Sequence, residues 1–149
     1  MNKIKKFFTI DTVYAHCDVP CGLYDPRAAL MAAETVKVMV KQIIDIEESE
    51  DFKNNPSNIK FSNSFVRRIM TKEQHAELVK KEIEILWSDY FKEEDLIVVP
   101  NLHEQIWKVV KLASYNKQNV DLEKAEELYK EVLNVSKMFD KVVEHRKNK

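Results

Sequence analysis

The chain has 149 residues, 44% of them apolar and 33% charged, with 24 basic against 25 acidic residues and a net charge of −1. That length and apolar share suffice for one domain with a full core, and they exclude a disordered, collagen-like or disulfide-rich chain. The balanced charge gives no electrostatic case for nucleic acid, and no apolar run approaches the ~20 residues of a membrane-spanning helix, so neither partner is expected. The chain has a single glycine, Gly22, where average usage of roughly 7% would give about ten. Tight hairpins and nucleotide-binding loops both draw on glycine, so an all-α fold is expected.

Residues 1–15 read MNKIKKFFTIDTVYA. Lys3, Lys5 and Lys6 make a basic start and Val13-Tyr14-Ala15 resembles a cleavage site, but the apolar centre is only Phe7-Phe8-Thr9-Ile10 before Asp11 interrupts it. A secretory signal wants roughly 7–15 apolar residues there. The segment therefore reads as a non-secretory leader removed on maturation, which points to the cytoplasm, with residues 16–149 as the mature domain. Its removal takes three lysines and one aspartate from the 24 basic and 25 acidic residues, leaving 21 and 24.

The next segment, His16-Cys17-Asp18-Val19-Pro20-Cys21-Gly22-Leu23-Tyr24-Asp25-Pro26, holds both cysteines, the one glycine and two of the four prolines. Two thiolates four residues apart can meet at one metal if the backbone between them turns back, and Pro20 and Gly22 supply a rigid and a permissive part for that turn. Cleavage after Ala15 would add a free amine at His16. Amine, Cys17 amide and the Cys17 and Cys21 thiolates then make a planar N2S2 set with the His16 ring within axial reach, a donor set that favours Ni(II) or Cu(II). Three other readings stay open on spacing alone. They are a structural zinc site with Asp18 as an extra ligand, a thiol redox pair, and a Cys17–Cys21 disulfide.

Asp25 and Pro26 predict the start of a first helix, with Asp25 as its cap and Pro26 at its first position. Leu30, Ala33, Val36, Val40 and Ile43 form its apolar stripe, up to a polar run from Glu47 to Asn58. A second helix is predicted from about Ser57 to Phe91, with Phe65, Ile69, Ala76, Val79, Ile83, Leu86 and Tyr90 facing inward. After a charged connector, Pro100 marks a third, with Leu102, Ile106, Val109 and Ala113 inward. Asp121 caps a fourth, whose inner face is Leu122, Ala125, Leu128, Val132, Val135, Phe139 and Val142. Four narrow stripes predict an antiparallel up-and-down four-helix bundle carrying the cysteine segment at its N-terminus. No phosphate loop, dinucleotide fingerprint or serine-nucleophile elbow is present.

The segment from His16 to Pro26 resembles the metal-binding hook of the nickel superoxide dismutases, preceded by a removable leader. The resemblance extends to Lys72-Glu73-Gln74 with Ala76-Glu77-Leu78, to Leu86-Trp87-Ser88-Asp89-Tyr90-Phe91-Lys92, and to Pro100 with Leu102-His103. It implies one nickel ion per subunit held by the His16 amine and imidazole, the Cys17 amide and thiolate, and the Cys21 thiolate. It also implies disproportionation of superoxide to dioxygen and hydrogen peroxide by Ni(II)/Ni(III) cycling after cleavage before His16. Tyr24 and Asp18 would order small ligands and water at the open face of the metal, and Tyr90 and Lys92 would surround the approach. The implied partners are superoxide, a maturation protease and five further copies of the chain in a homohexamer. Where the family commonly places a glutamate and an arginine that steer the axial imidazole, this chain has Ala32 and His75, and His75 is the residue expected to replace part of that contact. The other reading of the same hook is a non-catalytic nickel store or sensor.

Overall fold

The computed structural model describes residues 23–148, and four long helices and three short helical segments account for almost all of them. The first, α1, runs Arg27–Glu48. Asp25 accepts the Arg27 backbone N–H at 2.8 Å, so it fills the predicted capping role, with Pro26 at the boundary rather than inside the helix. Ser49 ends α1 and starts the short α2, Glu50–Asn54, accepting the Phe52 N–H at 3.3 Å. The polar run predicted as a break thus contains one further helical turn.

Helix α3 spans Ile59–Ile85 and continues as a π-helical turn at Leu86–Tyr90, followed by a 3-10 turn at Glu93–Ile97. Helix α4 is Leu102–Gln118 and α5 is Leu122–Lys147, the latter capped by the Asp121 carboxylate, which accepts the Lys124 N–H at 3.0 Å. The main packing partners are α1 with α3, α3 with α4, α4 with α5, and α5 back with α1. Neighbours in sequence are therefore neighbours in space, which is the up-and-down bundle predicted from the stripes. The antiparallel sense is visible at the helix ends: Arg27, Ala28 and Met31 at the start of α1 line one recess with Glu82, Ile85 and Leu86 at the end of α3, and Asn116 of α4 donates to the carbonyl of Lys124 in α5.

The core follows the expected stripes over most of their length. Val36, Val40, Val79, Ile83, Val109, Leu128, Val132, Val135 and Val142 are fully buried. Two predicted core residues depart from the pattern. Ile69 is 36% exposed, and Phe65 is half-buried against Phe52 of α2, ring centroids 5.2 Å apart. The physical reason is length: α3 has 27 residues and α4 only 17, so the first turns of α3 run past the end of α4 and lose that neighbour.

Lys72 stands at the point where α4 ends. It is 2% exposed, and its ammonium donates to the carbonyls of Asn116, of Lys117 at 3.0 Å and of Asn119 at 2.9 Å. Those are the orphan carbonyls of a helix C-terminus, where a cation is also favoured by the helix dipole. Burial lowers the lysine pKa from its ordinary value, the nearby Glu73 opposing it. Lys72→Met keeps the stem but leaves these carbonyls without a donor. We expect a loss of about 2–4 kcal/mol in urea unfolding, with no change in helix content of the surviving folded protein.

A second polar group is buried at the α4–α5 seam. The Glu131 carboxylate accepts from Lys108 at 2.7 Å, Gln105 at 2.7 Å and Asn134 at 2.9 Å. Burial alone would raise its pKa, but these three donors outweigh burial and hold it at about 2 instead of 4.5. Because the folded-state value lies below the unfolded one, the stabilisation is present above pH 4.5 and is lost as pH falls toward 2. Glu131→Gln is expected to lower stability at pH 7 by on the order of 2 kcal/mol and to leave much less difference from the parent protein at pH 2.5. Denaturant midpoints at the two pH values check this.

Candidate metal centre and its approach

His16, Cys17, Asp18 and Cys21 lie outside the described residues. The described chain begins at Leu23, so Tyr24 is the predicted site residue nearest to the hook whose surroundings can be given. Its ring packs on that of Tyr90, centroids 5.7 Å apart and planes tilted by 53°. Two features of the fold make this meeting. The cap at Asp25 fixes where the chain enters α1, and the antiparallel pairing of α1 with α3 brings that entry to the end of α3. There the π-helical turn inserts a residue into the helical register and redirects Tyr90.

Tyr90 is held from several sides. It stacks on Phe139 of α5 at 4.3 Å with planes 30° apart, and meets its neighbour Phe91 edge-to-face at 5.2 Å. The guanidinium of Arg146 lies 4.6 Å from the ring centre. Burial raises the Tyr90 pKa above its ordinary value of 10, Arg146 pulling it down and Asp95 and Asp140 adding to the rise. The phenol is accordingly protonated at neutral pH and able to hold or donate a hydrogen bond.

Beside this pair is an open recess of about 560 Å³ between the α1 entry (Leu23, Tyr24, Asp25, Arg27, Ala28, Met31) and the end of α3 (Glu82, Ile85, Leu86). Leu23 and Met31 are each 73% exposed on its rim. Lys92 lies elsewhere. It is exposed and lines a smaller recess of about 160 Å³ with Trp87, Phe91, Glu93, Leu96, Leu102 and His103, where the Trp87 indole donates to His103 Nδ1 at 2.9 Å. The fold thus brings Tyr24 and Tyr90 together and sets Lys92 to one side.

His75 is also separate. It is half-buried in the middle of α3 and its Nδ1 bonds the Thr71 carbonyl at 2.8 Å. A carbonyl can only accept, so Nδ1 carries the proton and Nε2 is the nitrogen able to accept. Ala32 is 1% exposed and belongs to the core of α1. At that position the chain presents a buried methyl group in place of a carboxylate.

Sequence reading missed Asp95 and Arg146, which prop this region. Asp95 was passed over as one more acid in a charged connector, yet it is 2% exposed, accepts the Lys92 N–H at 2.8 Å and pairs with Arg146. The only available signal was that Arg146 is an arginine in the last turn of a helix. Its partners are 51 and 56 residues away in sequence.

The donor chemistry agrees with a nickel site at the hook. Among the described residues no three His, Cys, Asp or Glu side chains form a metal-binding group, and both cysteines of the chain stand at positions 17 and 21. Thiolate and imidazole donors of that kind suit nickel. The sequence model of the nickel-containing superoxide dismutases matches residues 11–142. The nickel superoxide dismutase of Streptomyces seoulensis is 33% identical over 127 residues, 85% of this chain and 87% of that protein. The Streptomyces coelicolor enzyme is 34% identical over 128 residues, 86% and 88% of the two chains. A crystal structure of nickel-containing superoxide dismutase with its nickel ligation in the oxidised state superposes with a TM-score of 0.69 at 32% identity, covering 87% of this chain and 99% of the other. A match running through hook, bundle and π-helical turn together leaves one assignment: this chain belongs to the nickel-containing superoxide dismutase family.

Proposed function

We propose that the chain, cut before His16, disproportionates two superoxide ions and two protons to dioxygen and hydrogen peroxide at a nickel held by His16, Cys17 and Cys21. Bound there, nickel would supply the one-electron chemistry by alternating between Ni(II) and Ni(III), a couple that thiolate and amidate donors bring within reach. The observation that carries the reading is the Tyr24–Tyr90 contact, which anchors the ring three residues beyond Cys21 to the end of α3, on the wall of an open recess.

The protein's own groups then have separate tasks. Tyr24, with Asp18, orders water and small anions at the open face. Tyr90 backs Tyr24 and stays protonated, since burial raises its pKa. Lys92 is exposed and off the recess, so its contribution is long-range attraction of an anion by a protein whose net charge is negative. His75, whose acceptor nitrogen is Nε2, takes up part of the imidazole-steering role through water. The chain acts as a homohexamer in the cytoplasm. The weak apolar centre of residues 1–15 supports a non-secretory leader, and the family resemblance supports the hexamer and the maturation protease.

The first test follows superoxide decay directly for nickel-loaded protein beginning at His16 beside the uncut chain. Fast decay only from the trimmed form ties turnover to the new terminal amine. Nickel binding without decay in either form would instead favour a store or sensor. The steering role has its own check. Lys92→Gln is expected to lower the second-order rate constant by about two- to fivefold at low salt, and the difference should fade as ionic strength shortens the Debye length. An unchanged rate and salt slope would remove Lys92 from the approach.

A further inference from the structure

We propose that Arg146, in the last turn of α5, is a positioning residue for the tyrosine pair: it clamps Tyr90 and, through Tyr90, fixes the ring of Tyr24 beside the hook. Three observations carry this. The guanidinium donates through Nε to Asp95 Oδ1 at 3.2 Å and through a terminal nitrogen to Asp95 Oδ2, a two-pronged pair with a carboxylate that is 2% exposed. The same terminal nitrogen donates to the Tyr90 carbonyl at 3.1 Å. The cation also lies 4.6 Å from the centre of the Tyr90 ring, which in turn touches Tyr24.

One side chain therefore ties together backbone and ring of Tyr90 and the 3-10 turn that follows it. The planar fork of arginine is suited to this, since a lysine ammonium has no two parallel donors to match a carboxylate. The π-helical turn needs such a tie. Its five-residue hydrogen-bonded loop is the irregular end of α3, and the Tyr90 carbonyl lies where the helix stops. Asp95 relays the hold to Lys92 by accepting its backbone N–H. Arg146 also stands past residue 142, where the match to the family's sequence model ends. The clamp ties the C-terminal turn of α5 to the end of α3.

The inference rests on the dismutase reading for its effect on turnover, but the clamp itself is testable without metal. In metal-free protein carrying ring-labelled tyrosine, with signals assigned by Tyr24→Phe and Tyr90→Phe, Arg146→Met should shift the ring resonances of both Tyr90 and Tyr24, although Arg146 does not touch Tyr24. In nickel-loaded protein the same change should lower kcat by about three- to tenfold with nickel content unchanged. Arg146→Lys, which keeps the charge and loses the fork, should recover only part of the rate. Because Arg146→Met leaves the Asp95 carboxylate buried without its cation, Arg146→Met/Asp95→Asn is measured beside it. This double variant should fold with near-parental stability and still show both shifts.

A Tyr24 resonance that stays in place while Tyr90 moves overturns the relay. A parental rate with both resonances displaced overturns the functional role. Should the parent protein itself fail to consume superoxide, the dismutase reading falls, and the Tyr24 resonance still decides the clamp.

Discussion

The contact between Tyr24 and Tyr90 is the junction between the N-terminal segment and the end of α3. Tyr24 belongs to the segment that holds both cysteines, and Tyr90 belongs to the bundle. The distance between their rings, 5.7 Å, is in the range where aromatic pairs attract beyond simple burial. The rest of the molecule can be understood as what keeps those two rings at that spacing. Asp25 fixes the entry to α1, the α1–α3 pairing aligns the ends, and the π-helical turn aims Tyr90. Phe139 and Arg146, seven residues apart and so on one side of α5, hold its ring.

Polar groups are buried where helices end or meet, and each is matched to a need of the backbone or of a partner. Lys72 serves the carbonyls that α4 cannot bond internally, Asp95 and Arg146 fasten the turns after α3, and Glu131 collects three donors at the α4–α5 seam. A buried charge without such partners would be costly, so each pair also specifies register: sliding α3 along α4 by one turn would take Lys72 away from the carbonyls of 116–119. The apolar stripes make the bundle, and these three points decide how its helices are set lengthwise. Lengthwise setting is what a contact between an N-terminal segment and the end of α3 requires.

Much of this was legible in the sequence, and the reason is chemical. One glycine in 149 residues removes most alternatives to helix, and caps at Asp25 and Asp121 sit within a residue of their predicted places because capping is a local interaction. The hook stood out because its residue types are scarce elsewhere in the chain. What was not legible depends on which elements meet. Ile69 keeps the apolar spacing but falls where α3 has outrun α4, and periodicity carries no information about where a partner helix stops. Lys72 and Asp95 look like solvated charges until the fold supplies the carbonyls and the guanidinium that bury them.

The same distinction applies at Ala32 and His75, the two positions that the family resemblance ties to the metal-binding imidazole. Ala32 is in the core, where a methyl group packs without a partner, so the bundle does not suffer from the missing carboxylate. His75 bonds its own helix and presents one acceptor nitrogen. Neither substitution touches the Tyr24–Tyr90 contact or the π-helical turn behind it. Packing at positions 32 and 75 and support at the bundle end are therefore carried by different residues and can vary independently. At the bundle end Arg146 adds a charged tie to a ring that Phe139 already stacks. The tyrosine pair is thus held from the bundle side, whatever groups stand at positions 32 and 75.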